Sequence, residues 1–261
     1  MSAATGARLE FADQPRRQAY DAIVIGAGPN GLSAAAALAR EKRSVLVVEA
    51  CETIGGGTRT AELTLPGFRH DVCSAIHAMG VVSPFFNSLP LAEHGLVWEY
   101  PEVAAAHPLD DGRAAVFHRS FPETALEFGD DSDGYRRLFQ RLLDNAERIL
   151  PQVLDPLDFQ ASAFHSSMLD FAWKTPRSAA GLAKSYFAGA PARAGFAGMA
   201  AHSIRPLGKA FTAAIGVVLT MTVHLGGWPV ARGGSQSIAD ALARYILAHG
   251  GEIVVNRRIA S

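Results

Sequence analysis

One stretch limits this chain more than any other: YDAIVIGAGPNGLSAAAALAREKRSVLVVEA, from Tyr20 to Ala50. Ala22 to Ile25 is a short β-branched apolar run that stops at Gly26, the pattern of a buried strand in a parallel sheet. Gly26-Ala27-Gly28-Pro29-Asn30-Gly31 then spells G-x-G-x-x-G. Leu32 to Arg40 is rich in Ala and Leu and predicts a helix. Ser44 to Val48 predicts a second strand, closed by Glu49 and Ala50. The unit reads strand, glycine turn, helix, strand, acid.

Each part has a mechanical reason. Gly26 permits the tight turn out of the strand, Gly28 lets a pyrophosphate approach bare backbone, and Gly31 lets the helix pack closely on the sheet. Pro29 and Asn30 complete the turn. The helix N-terminus offers free N–H groups and a partial positive charge to a phosphate. Glu49 lies 18 residues beyond Gly31. A carboxylate there can accept hydrogen bonds from ribose hydroxyls and repels a 2′-phosphate, which disfavours NADP. The motif alone does not choose between NAD and FAD. Past the second strand, Gly55-Gly56-Gly57 sets more bare backbone where a dinucleotide would pass, and Arg59 adds a fork of donors for phosphate.

The 261 residues suffice for one large or two ordinary domains. The net charge of −1 gives no broad basic field for nucleic acid. Cys51 and Cys73 form no C-x-x-C pair, so they read as reduced thiols of a cytoplasmic protein. Residues 1–19 lack a signal-peptide core and read as a disordered tail. Ala210 to Val223 is the most apolar run but too short to span a bilayer. It reads as a buried helix or pocket wall, with a peripheral membrane contact as the sharper alternative.

Asp110-Asp111-Gly112 predicts a hairpin turn between two extended runs, and Ser120 a cap for a short helix. Tyr135 to Leu150 has a clear apolar face and predicts one helix stopped by Pro151. From there to about Leu225 the chain reads as helices with small residues at close contacts. Ser235 is placed to cap a helix that ends at Gly250-Gly251, and Glu252 to Val255 predicts a returning strand.

Together the glycine turn, Glu49, the GGGTRT loop, GFRHD and GWPVARGGSQSIADALARYILAHGGEI resemble FAD-dependent amine oxidases and phytoene desaturases, in particular the phytoene-dehydrogenase-like branch. The resemblance implies an α/β fold: a Rossmann-like FAD-binding domain with an inserted, largely helical substrate domain. On that reading residues 20–95 begin the FAD-binding domain, 96–225 form the substrate domain and 226–261 return to the first. It implies FAD held by Gly26, Gly28, Pro29, Asn30 and Gly31 at the pyrophosphate, by Glu49 and Ala50 at the ribose, and by Gly55, Gly56, Gly57 and Arg59 along the dinucleotide. Ile259 is its match for a backbone contact to adenine, and the loop Asp71–Ser74 is expected near the flavin ring. Family chains continue well beyond this length, so the sequence corresponds to an N-terminal portion.

The implied activity is hydride transfer from an apolar small molecule to flavin. The protein then needs only to position a substrate C–H, exclude water and tune the ring. No catalytic acid or base stands out. Of His70, His77, His202 and His224, only His77, close to the expected flavin loop, is a candidate. No metal-ligand spacing occurs. With a single G-x-G-x-x-G, electrons are expected to leave to oxygen, a quinone or another acceptor. Two alternatives stay open: an NAD-dependent dehydrogenase, and a truncated or degenerate flavoprotein that only binds nucleotide or a partner.

Overall fold

The computed structural model describes residues 9, 11–154 and 166–260. Part of the expected N-terminal tail and residues 155–165 of the expected helical insertion lie outside them. The chain divides into two compact units: residues 1–77, 89–99 and 230–261, and residues 78–88 and 100–229.

The first unit is built on a parallel three-stranded sheet. Strand β1 (Ala22–Ile25) leads through helix α1 (Pro29–Arg40) to β2 (Val45–Val48). A return strand, Glu252–Val254, pairs on the far side of β2, giving the order β1, β2, return strand. Ala22 faces Val45 on one side and Leu46 faces Glu252 on the other. All four residues of the central strand are buried, each worth roughly 1.5–3 kcal/mol. α1 buries Leu32, Ala35, Ala36 and Ala39 and packs on the return helix, Gln236–Ala248. Among the described residues β1, expected as a buried strand, lies at the edge of the sheet. Its Val24 faces α1, whereas Ile23 and Ile25 are 60% and 69% exposed.

Residues 11–19 are also not the free tail the sequence suggests. Ala12 forms a parallel bridge with Val254, the Arg16 amide and the Tyr20 hydroxyl both donate to Glu252 at 2.9 Å, and Arg17 lies 3.6 Å from the same carboxylate. The segment therefore covers the outer edge of the return strand, which would otherwise expose unpaired backbone groups.

The second unit carries a hairpin, Val103–Pro108 with Ala114–His118, and several helices. Ser120 caps the helix Phe121–Glu127, accepting from the Glu123 amide. The single helix expected from Tyr135 to Leu150 is two helices, Ser132–Asp144 and Ala146–Leu154, separated at Asn145. Pro151 sits inside the second rather than ending it. A proline has no N–H, so this short helix lacks the bond that position 151 would donate to the Glu147 carbonyl. Residues 78–88 pack here as well, Val81 lying so close to Gly226 that an added Cβ would come within 2.6 Å of it.

The glycines of the insertion mark close contacts. A Cβ on Gly195 would press on Phe117 at 2.9 Å, and one on Gly216 would press on Ala200 and Phe196 at 3.0 Å. The helix Thr212–Leu225, which contains most of the apolar run, is largely buried in this core. Among the described residues no helix is long and apolar enough to cross a membrane.

His224 serves this core. Its Nδ1–H must donate to the Arg119 carbonyl, which can only accept, at 3.2 Å. Its Nε2 therefore accepts from the Tyr135 hydroxyl at 2.6 Å. Burial pushes the imidazole down to about 4, against the pull of the Arg119 and His118 carbonyls. The sign follows: an unfolded histidine takes up its proton near 6.5, before the folded one does. Stability present above that pH is lost as pH falls toward 4. His224 is expected to account for about 2 kcal/mol of the loss, allowing for its partial exposure. Urea unfolding between pH 7 and 4 should show this slope, and His224→Gln should flatten it.

Candidate dinucleotide site

Every element of the site belongs to the first unit. At the end of β1, Gly26 adopts φ +98°, a conformation an L side chain rarely takes. Its N–H donates to the Val48 carbonyl at 2.8 Å, which fixes the turn to β2. Gly28 occupies the N-cap position of α1, and no side chain caps the helix there. Pro29 in the first turn has no N–H to satisfy. The remaining first-turn donors, including those of Asn30 and Gly31, are presented to an incoming anion. Gly31 sits where a Cβ would overlap the Gly26 carbonyl oxygen, so helix and turn touch backbone to backbone.

The second glycine loop meets the first. The Gly55 N–H donates to the Ala27 carbonyl at 2.7 Å. Gly55 and Gly56 have φ +111° and +52°, and a Cβ on Gly56 would lie 3.0 Å from the Gly28 Cα. Two side-chain-free backbones thus line one cradle. Arg59, expected to aim donors at phosphate, uses its Nε to hold the Gly56 carbonyl at 2.9 Å and so braces the loop.

Glu49 is anchored at the end of β2. It accepts from the Ala27 N–H at 2.7 Å and from the Cys51 N–H at 2.9 Å, one bond to each carboxylate oxygen. Burial pushes its carboxyl up, but the amides of Cys51, Ala27 and Ala50 outweigh this and hold it below the ordinary value. An ionised carboxylate keeps further acceptor capacity on both oxygens, the chemistry that ribose hydroxyls require. Ala50 is exposed beside it. The Arg257 and Asn256 amides bond the Glu49 and Cys51 carbonyls at 2.8 and 3.0 Å, which lays the segment after the return strand along this end of the site. Ile259 lies two residues further on, half exposed.

A hydrogen-bonded latch on the other side of the glycine loop was not legible as such in the sequence. β3 (Thr60–Glu62) and β4 (Arg69–Asp71) form a hairpin. Asp71 accepts from the Thr60 hydroxyl at 2.6 Å and from the Ser235 amide at 2.8 Å, and Thr60 accepts from the Gln236 amide at 3.0 Å. Burial pushes the Asp71 carboxyl up; the bonds from Thr60 and Ser235, with His77 nearby, bring it below the usual range. Ser235, expected to cap the return helix, makes no cap bond. Its hydroxyl donates to the Ser74 carbonyl at 2.7 Å, while the Ser74 amide donates to the Gly57 carbonyl at 3.1 Å.

His77 completes this latch. Its Nε2 lies 2.8 Å from the Ser235 oxygen, whose only proton is already committed, so Nε2 must carry the hydrogen. Burial pushes the ring's pKa down, against Asp71. The neutral ring therefore keeps an unprotonated Nδ1. The one signal for the latch in the sequence was Gly233-Gly234 before Ser235. A Cβ on Gly234 would overlap Thr60. Cys51 and Cys73 are free and exposed, so no disulfide joins them. Among the described residues no cluster of His, Cys, Asp or Glu could hold a metal.

Residues 24–89 match the model of an NAD(P)-binding Rossmann-like domain. The structure superposes on putrescine oxidase with a TM-score of 0.54 at 21% identity, over 91% of this chain and 51% of that one. The likeness shows a shared Rossmann-like α/β fold. Within that fold, the chain is 27% identical to rat pyridine nucleotide-disulfide oxidoreductase domain-containing protein 2, over 92% of this chain and 48% of that protein. It is 41% identical over 98 residues to a limonene dehydrogenase polypeptide of Castellaniella defragrans, a match that covers 38% of this chain and 18% of that one. The chain thus spans about half the length, or less, of the curated relatives it matches.

Proposed function

We propose that this chain is the dinucleotide-holding part of an FAD-dependent oxidoreductase that removes a hydride from an apolar organic molecule. One observation carries the dinucleotide reading. An uncapped helix N-terminus, a second glycine loop in backbone contact with it, and an anchored ionised carboxylate lie along one path. The residues fit such a group: the cradle at Gly28 and Gly56 would be filled by a Cβ, and Glu49 retains acceptor capacity for ribose. FAD is favoured over NAD by the resemblance to flavin-dependent amine oxidases, a resemblance that the shared fold of putrescine oxidase supports. An apolar substrate is favoured by the limonene dehydrogenase relative, whose name specifies a hydrocarbon.

When bound, a flavin supplies the hydride acceptor. The chain's own work is then to hold phosphate on the α1 N-terminus, fix the ribose at Glu49, and keep the glycine loop in place through Asp71, Ser235 and Ser74.

Purified chain mixed with FAD and then desalted is expected to retain the visible absorbance bands of bound flavin. Retention of NAD but not FAD would transfer the reading to an NAD-dependent dehydrogenase. Retained FAD that no donor reduces would leave a nucleotide-binding role alone.

A further inference from the structure

His77 gives the latch a titratable ring whose two nitrogens differ. Nε2 carries the hydrogen and points at the Ser235 oxygen, 2.8 Å away. The Ser235 proton goes to the Ser74 carbonyl, and the Ser74 amide holds the Gly57 carbonyl at 3.1 Å. One line of hydrogen bonds therefore runs from the imidazole to the second glycine loop, and it has a direction. In the other tautomer Nε2 would be an acceptor and would compete with Ser74 for the single Ser235 proton. The line is intact only while Nε2 carries a hydrogen. For a neutral ring, that leaves Nδ1 as an acceptor. Nδ1 makes no hydrogen bond among the described residues and is not sealed from solvent. The half-buried ring lies beside Trp98, centroids 5.8 Å apart. The charge that reaches it is the Asp71 carboxylate on β4. Trp98 and Ser235 bring none, and Glu99, next to Trp98, is engaged with Arg232.

Glu49, tied to Ala27 and Cys51, marks one end of the cradle, and the latch grips the glycine loop at its other end, at Gly57. A dinucleotide with its adenosine ribose at Glu49 brings its second half toward the latch. In FAD that half carries ribityl hydroxyls and a ring imide N–H, all hydrogen-bond donors. We propose, building on the FAD reading, that Nδ1 of His77 accepts a hydrogen bond from the riboflavin half of the bound dinucleotide, and that this bond fixes the tautomer that keeps the glycine loop latched. Ligand and loop then support each other: a donor at Nδ1 keeps the hydrogen on Nε2, and the Ser235 proton stays on Ser74. Protonation of the ring acts on one side only. Imidazolium still donates from Nε2, so the latch stays closed, but Nδ1 can no longer accept. Burial lowers the ring's pKa from its ordinary 6.5 against the pull of Asp71, so the acceptor is present at neutral pH. Affinity is therefore full above that range and is lost as pH falls through the ring's titration, below 6.5.

The test is the equilibrium affinity of the whole chain for two ligands between about pH 8 and pH 5. One is FAD. The other is the β-methyl ester of ADP, which carries adenosine and a non-titrating pyrophosphate but nothing beyond it. FAD affinity is expected to be level at high pH and to fall below the histidine range, by about 10-fold per pH unit at the steepest, as one proton competes with one ligand. Affinity for the ester should stay level. His77→Gln keeps an N–H donor for Ser235 but does not titrate. It should bind FAD about 5-fold more weakly at high pH, one hydrogen bond's worth, with the pH dependence gone. Its affinity for the ester and its urea unfolding should match wild type. Wild-type chain that binds FAD with a level profile overturns the proposal and leaves the FAD reading standing, and this comparison needs no variant to fold. The same pH dependence for both ligands, or its persistence in His77→Gln, overturns it too, giving the proton to another group. A chain that binds the ester but not FAD removes the FAD reading, and the His77 contact with it.

Discussion

Gly31→Ala is expected to destabilise the first unit by at least about 3 kcal/mol, because the new methyl would overlap the Gly26 carbonyl oxygen. Its nearest obstacles are backbone atoms, and Val24 stands next, at 3.4 Å. No rotamer change can relieve such a clash; α1 must move off the sheet. Gly28→Ala, three residues earlier, is expected to behave differently. Its Cβ would meet only the Gly56 Cα at 3.9 Å, an ordinary contact, and its φ of −73° suits alanine. Stability should change by less than about 1 kcal/mol, yet the methyl would occupy the cradle, and FAD binding should weaken about 10-fold or more. Urea unfolding and equilibrium dialysis on both variants separate the two effects. If Gly28→Ala bound FAD as well as wild type, the pyrophosphate would have to lie elsewhere.

Glu49→Ala is expected to cost about 2 kcal/mol of stability, since the amides of Ala27 and Cys51 lose their acceptors. FAD affinity should fall about 100-fold, the loss of a charge-assisted acceptor for ribose. Glu49→Gln keeps one acceptor oxygen and should fall between. The pH dependence follows from the lowered pKa of Glu49. A carboxyl held below its unfolded value stabilises the fold above that value, and the contribution is lost as pH falls through the folded pKa. Acid unfolding of Glu49→Gln should therefore be shallower below about pH 4. Equal FAD binding by wild type and Glu49→Ala would remove the ribose role from this residue.

The legible part of the site was local. Gly26, Gly28, Gly31 and Glu49 fall within 24 consecutive residues, where strand length, helix length and turn chemistry fix the geometry. The GGGTRT loop could be read for the same reason, although the bracing role of Arg59 could not. Beyond that range the signals weaken. The latch joins Asp71 to Ser235 across 164 residues, and nothing in either segment announces the other. Ser235 carried the look of a helix cap, but its hydroxyl found a stronger partner in the Ser74 carbonyl.

The same reason separates the other outcomes. The residues by themselves determined the βαβ unit, the glycine cradle, the position of the acid, the hairpin turn and the small-residue contacts of the insertion. All follow from short-range periodicity and sterics. Only the tertiary structure decided that β1 lies at the sheet edge with Ile23 and Ile25 exposed, because an edge is defined by which distant strands arrive beside it. Only it laid residues 11–19 along the return strand, where the buried carboxylate of Glu252 demanded donors. And only it distinguished the apolar run, most of which fills the core, from the loop before it, whose exposed side chains face outward. Hydropathy records how apolar a segment is; which neighbour covers it is settled by packing.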